Sequence, residues 1–291
     1  MRPTNFEFNG QLFDTARRSL AIHSQKFVPQ DQSLLDLVVG AGGNPTDYLY
    51  GGLTVSLGIR AVLLYLGTPI TSFERILDLG CGTARVLRWF ADVVPDTKLY
   101  GADIHSKSVE WCVENIPFAQ FVRNDPMPPL PFPGSTFDLV LALSVLTHLN
   151  EEMQLAWLQE LHRITKHGAF VLLSVHGEDK AAGGLWANEY LQFLNRGFFY
   201  KAARQRPTVQ NLPIFTRSLS TQESTSTAHG RGSSIFGHTS DMDHSTRRNW
   251  WYCRRQTNSQ APLFRTRLSI CPLPSWTIRS LDHSWMSFIW T

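Results

Sequence analysis

The residues predict a doubly wound α/β domain, a mostly parallel sheet with helices on both faces, and three observations predict it. Short apolar runs alternate with segments of helical period from residue 73 onward. The alternation demands right-handed crossovers, which make neighbouring strands parallel. The first run breaks at its carboxyl end into glycine, in "ILDLGCGTAR" (residues 76–85), and a helix-like stretch follows.

Each element follows in order. Residues 1–72 read as an N-terminal helical cap or extension. Within them "SLLDLVVGAGGNP" carries an apolar run and then a Gly-Gly-Asn-Pro turn, because glycine permits positive φ and proline fixes its own. In "GGLTVSLGIRAVLLYLG", Leu53, Leu57, Val62, Leu63 and Leu66 fall near helical spacing, and Gly67 and Pro69 end the helix. Residues 73–200 form the main domain. "RILDLG" is a buried strand, "TARVLRWFADVV" a helix, "KLYGAD" a second strand and "SKSVEWCVEN" a helix capped by Ser106. "AQFVRND" is a third strand, and the proline-rich "PMPPLPFPGST" leads to "FDLVLALSVL", the most apolar strand. "EEMQLAWLQELHRITKHG" is an amphipathic helix opened by acids and closed by Lys166, His167 and Gly168, as the helix dipole favours. "AFVLLSVHG" is the fifth strand.

After about residue 205 neither period persists, and no convincing pair of strands finishes the sheet, so its C-terminal part is expected to be incomplete. Residues 201–291 hold 12 basic and 4 acidic residues, which leaves residues 1–200 with 15 basic and 20 acidic. Five of the nine tryptophans lie in the same stretch, which disordered tails avoid. It reads as an irregular basic tail, either an aberrant, out-of-frame C-terminus or a basic binding tail. A nucleic-acid role rests on this charge alone and is disfavoured. Cys81, Cys112, Cys253 and Cys271 form no C-x-x-C pair, so no metal site is expected and a reducing compartment is the default. No apolar run reaches membrane-spanning length, and "MRPTNFEFNG" lacks a signal-peptide core. The expectation is a soluble, cytoplasmic protein with no membrane partner.

A glycine turn between a parallel strand and a helix lets backbone N–H groups approach a ligand. A dinucleotide site wants G-x-G-x-x-G, and here Arg85 stands where the third glycine belongs. "LDLGCGTA" instead resembles the first motif of the class I S-adenosylmethionine-dependent methyltransferases, at Asp78, Gly80 and Gly82, with Ala84 in place of that motif's third glycine. The resemblance spans roughly residues 73–177. It implies S-adenosylmethionine as cofactor. Gly80, Cys81 and Gly82 would then bend around its methionine end, and Asp78 would either touch ligand or organise the loop. Asp103, which ends the second strand 21 residues after Gly82, would hold both ribose hydroxyls, with Ile104 against the adenine face. Asn124 and Asp125 are candidates for the adenine amino group, and Ser144 for the methionine end. Cys81 also reads simply as a small residue fitting a tight turn.

Methyl transfer to a nucleophile needs a general base only when the acceptor is protonated. His148 and His176, just past the fourth and fifth strands, are the candidates, although His148 could equally pack or cap. The leading reading is a methyltransferase acting on a small-molecule acceptor. A NAD(P)-dependent oxidoreductase is the alternative, and a third reading keeps the cofactor pocket without catalysis.

Overall fold

The computed structural model describes residues 28–176, 178–196 and 198–200, together with strand segments 215–216, 249–255 and 276–281. Helices α1 (Gln32–Val39) and α2 (Pro45–Tyr65) precede the sheet. The sheet is built from β1 (Arg75–Leu79), β2 (Lys98–Asp103), β3 (Ala119–Arg123), β4 (Phe137–Ala142) and β5 (Thr165–Val175), all parallel, in the order β3-β2-β1-β4-β5. Helix α3 (Ser106–Asn115) joins β2 to β3, and α4 (Glu151–Ile164) joins β4 to β5. Two short helices, α5 (Glu178–Gly184) and α6 (Ala187–Arg196), follow, with a two-residue pair of β6 (Phe198–Phe199) and β7 (Phe215–Thr216).

Consecutive strand residues go to opposite layers, and this is why the central strands read as largely apolar runs, interrupted by Asp78 in β1 and Asp138 in β4. Ile76, Leu139, Leu141, Phe170 and Leu172 pack with Ile59, Leu63, Leu87, Phe90 and Ile116 on one face. Their neighbours Leu77, Val140, Ala142, Val171 and Leu173 pack with Trp157, Leu161 and Ile164 of α4 on the other. The doubly wound, mostly parallel fold is therefore present. Strand order reverses between β1 and β4, and the crevice outside that switch point is where open α/β sheets bind ligands.

Several local features differ from the sequence reading. The stretch after the glycine turn is a 3-10 helix over Leu87–Val93, not a regular α-helix. Just before it, Thr83 O is taken by the side chains of Tyr48 and Arg88, whereas Ala84 O accepts both the Arg88 backbone N–H and Arg88 Nε. Helix α3 is capped by His105, whose Nδ1 accepts the Ser108 N–H, so Ser106 is its first helical residue. Helix α4 ends at Ile164, because Thr165 already pairs with Phe137 as a strand. Lys166 lies in that strand and pairs with Glu74 and Asp138.

Helix α2 begins at Pro45, capped by the Asn44 side chain, and its 21 residues make it long and apolar enough to cross a membrane by length and composition. Starting the helix at Gly51, as the sequence suggests, leaves it too short for that. Its Ile59 and Leu63 are buried in the core, and Arg60 pairs with Asp92.

Where the sequence shows no strand pair, β8 (Asn249–Arg255) pairs antiparallel with β5, and β9 (Trp276–Leu281) pairs antiparallel with β8. These strands extend the sheet at the edge expected to be incomplete. The remainder of residues 201–291, and with it the reading of an irregular or aberrant tail, lies outside the described residues apart from Phe215–Thr216.

Candidate functional site

The glycine turn, the end of β2 and the end of β3 are tied into one surface. Gly80 and Gly82 sit at φ +72° and +54°, which glycine adopts without a Cβ penalty. A Cβ on Gly80 would also run into Val145 Cγ2, so the loop passes the β4 loop as bare backbone. The Gly80 and Cys81 N–H groups donate to Ala102 O at 2.7 and 3.2 Å.

Asp103 is the hub. Its Oδ2 accepts the Gly82 N–H and its Oδ1 accepts the His105 N–H, each at 2.8 Å. Its carbonyl accepts the Asn124 N–H at 3.0 Å. Each carboxylate oxygen still has a lone pair for a ligand hydroxyl. Ile104, beside it, is 56% exposed.

Asn124 and Asp125 separate clearly. Asp125 is exposed, whereas Asn124 is buried, and its Nδ2 donates to Asp125 O at 2.8 Å. Asn124 Oδ1 is buried with no hydrogen-bond partner. An orphaned buried acceptor costs about 1–3 kcal/mol, so it marks a place built to receive a donor. An adenine amino group is such a donor, and the residues fit an adenosyl ligand on this ground.

Asp78 is 3% exposed on β1, and its pKa is pushed up to about 7 by burial first and by the Asp103 charge second, with Arg85 opposing. The Cys81 thiol is pushed well up, first by its contact with Cys112 and then by burial, and both cysteines are free and buried. Both thiols donate to Gly82 O, at 3.6 and 3.5 Å. Cys81 is thus a protonated side chain filling a tight turn.

The other side of the crevice is formed by the ends of β4 and β5. Ser144 has φ +59°, and its N–H donates to Ser174 Oγ at 2.7 Å. His148 ends a 3-10 turn over Leu146–His148 and is exposed, and its N–H donates to Val145 O at 3.0 Å. His176 follows β5 and is half-buried. Both histidines stand at the carboxyl edge of the sheet. No group of three or more His, Cys, Asp or Glu among the described residues could hold a metal ion.

Sequence reasoning missed Tyr48, Thr83, Arg88 and Ser174. Tyr48 and Arg88 are 40 residues apart and meet at 2.7 Å, and no local spacing signals such a contact.

Residues 76–168 match the family model described as a methyltransferase domain. An uncharacterized methyltransferase of Schizosaccharomyces pombe is 29% identical over 117 residues, which cover 37% of this chain and 41% of that protein. The chain thus spans about two fifths of the length of this curated relative. Among solved structures, a SAM-dependent methyltransferase from Methanosarcina mazei is 21% identical, with a TM-score of 0.37, covering 50% of this chain and 72% of its own. PKMT2 from Rickettsia typhi, solved in complex with AdoHcy, is 20% identical with a TM-score of 0.34, covering 38% and 22%.

Proposed function

We propose that this chain, whose residues 76–168 match a methyltransferase domain, is a class I methyltransferase that binds S-adenosylmethionine and transfers its methyl group to a small-molecule acceptor. The observation that carries the reading is that the Asp103 carboxylate, which holds the Gly82 N–H, and the unpartnered, buried Asn124 Oδ1 stand at the ends of neighbouring strands, joined by the Asn124 N–H to Asp103 O bond. Asp103 would take the ribose hydroxyls, Asn124 Oδ1 the adenine amino group, and Ile104 an adenine face. Backbone at Gly80–Gly82 and Ser144 would line the methionine end. Asp125, exposed and bonded through its carbonyl to Asn124, would act by orienting that amide.

The bound cofactor supplies a methyl group on a sulfonium, already electrophilic without a metal. The chain's task is to hold a nucleophile in line and exclude water. His148 or His176 would remove the acceptor's proton where it has one. One observation favours a small acceptor: helix α1 covers the turn, with Val38 Cγ2 3.3 Å from where a Cβ on Gly82 would sit. Arg85 at the third-glycine position disfavours a dinucleotide.

Transfer of a tritium-labelled methyl group into a mixture of small amines, phenols and thiols, run beside denatured protein and transfer RNA, tests this. Label in the small-molecule fraction supports the proposal. Label confined to macromolecules overturns the small-acceptor part.

A further inference from the structure

The N-terminal helices and the glycine turn are joined by a buried polar contact outside the proposed ligand-touching set. Tyr48, in the first turn of α2, is fully buried, and its hydroxyl donates to Thr83 O at 2.6 Å. That hydroxyl lies 3.0 Å from Thr83 Oγ1 and accepts from Arg88 Nη2 at 2.7 Å. Arg88, also buried, donates from Nη2 to Thr83 O at 2.8 Å and from Nε to Ala84 O at 3.0 Å. Helix α2 comes this close because residue 52 is glycine: a Cβ there would run into Arg85 O.

The two carbonyls held in this way belong to Ala84 and the residue before it. Ala84, in the third position of the glycine motif, has φ +56°, a left-handed conformation disfavoured for any residue with a Cβ. Backbone bonds within the segment hold it in part, Ala84 N–H to Cys81 O at 2.9 Å and Arg88 N–H to Ala84 O at 3.2 Å, and side chains from outside the turn add to that hold. Arg88 grips both carbonyls, Tyr48 grips that of Thr83 and anchors the Arg88 guanidinium, and the Gly82 N–H at the other end of the turn is held by Asp103.

We propose that Tyr48 and Arg88 are positioning residues that keep the alanine-containing glycine turn in its ligand-accepting shape, so that docking of the N-terminal cap and binding of the cofactor favour each other. The inference rests on the cofactor reading above. Burial pushes the Tyr48 pKa up to about 12, so the hydroxyl remains a neutral donor across the ordinary pH range. Coupling of this kind is reciprocal: what steadies the cap tightens the ligand, and the ligand steadies the cap.

The test is titration of S-adenosylhomocysteine into the full chain as wild type, Tyr48→Phe and Tyr48→Phe/Ala84→Gly, with melting curves of each ligand-free form. Tyr48→Phe is expected to weaken binding about tenfold. Adding Ala84→Gly, which lets the turn take positive φ unaided, should restore affinity to within about threefold of wild type. A purely structural tyrosine would lower the melting temperature with no such rescue. Unchanged affinity in Tyr48→Phe, or a double variant as weak as the single one, overturns the proposal. A wild type that binds no S-adenosylhomocysteine removes the cofactor reading and this inference together. Hydrogen exchange on the wild type needs no variant to fold: ligand should slow the amides of residues 47–52, and unchanged exchange there overturns the coupling.

Discussion

Replacing Asp78 by asparagine converts a buried, ionisable group into a neutral one of the same shape. Asp78 is almost fully buried on β1, and burial and then the Asp103 charge raise its pKa to about 7, against the pull of Arg85. In the unfolded chain an aspartate titrates near about 3.9. The gap corresponds to on the order of 4 kcal/mol between protonation states. The folded protein binds this proton more tightly than the unfolded one. The stabilisation is therefore complete below about pH 4, falls as pH rises through about 7, and is gone above that. The Asp78→Asn variant has nothing to titrate at this position. Urea unfolding of the ligand-free proteins from about pH 4.5 to 8 should show the variant gaining on the wild type by several kcal/mol. A difference that stays flat with pH would mean that Asp78 is ionised throughout, and that its burial costs far less than its surroundings imply.

The other predictions concern the ligand directly. Asp103→Ala should weaken S-adenosylhomocysteine binding by about 2–3 kcal/mol, because it removes a charge-assisted contact and frees the Gly82 N–H; calorimetric affinity within twofold of wild type would refute the ribose assignment. Asn124→Ala should cost about tenfold in the same titration, whereas Asp125→Ala, at an exposed side chain, should cost less than about threefold. His148→Ala and His176→Ala should leave that affinity unchanged. If either residue is the base, its variant should lower labelled-methyl transfer by about 10²-fold or more.

The sheet was legible because the central strands are buried on both faces: Ile76 and Leu77 enter different cores, so apolar residues dominate the run and Asp78, the carboxylate within β1, is itself buried. Asp103 was legible because a helix and a strand fix its distance from Gly82. The choice between Asn124 and Asp125 was not, since two adjacent polar residues look alike until burial separates them. His105 as a helix cap escaped notice because Ser106, a more usual capping residue, stands beside it. Strands β8 and β9 escaped notice because backbone ladders hold them, and "NWWYCRR" carries no clear alternation. The 3-10 stretch and the Tyr48–Arg88 contact depend on groups far apart in the chain, which local periodicity cannot report. Ala84 looks a mild replacement for glycine until its positive φ is seen.

The most direct measurement is calorimetric titration of the purified full-length chain with S-adenosylhomocysteine, with NADH as the comparison ligand. The arrangement of Asp103, Asn124 and the glycine turn predicts saturable, one-to-one binding of S-adenosylhomocysteine and no heat from NADH. Binding of NADH, or of neither ligand, would contradict it.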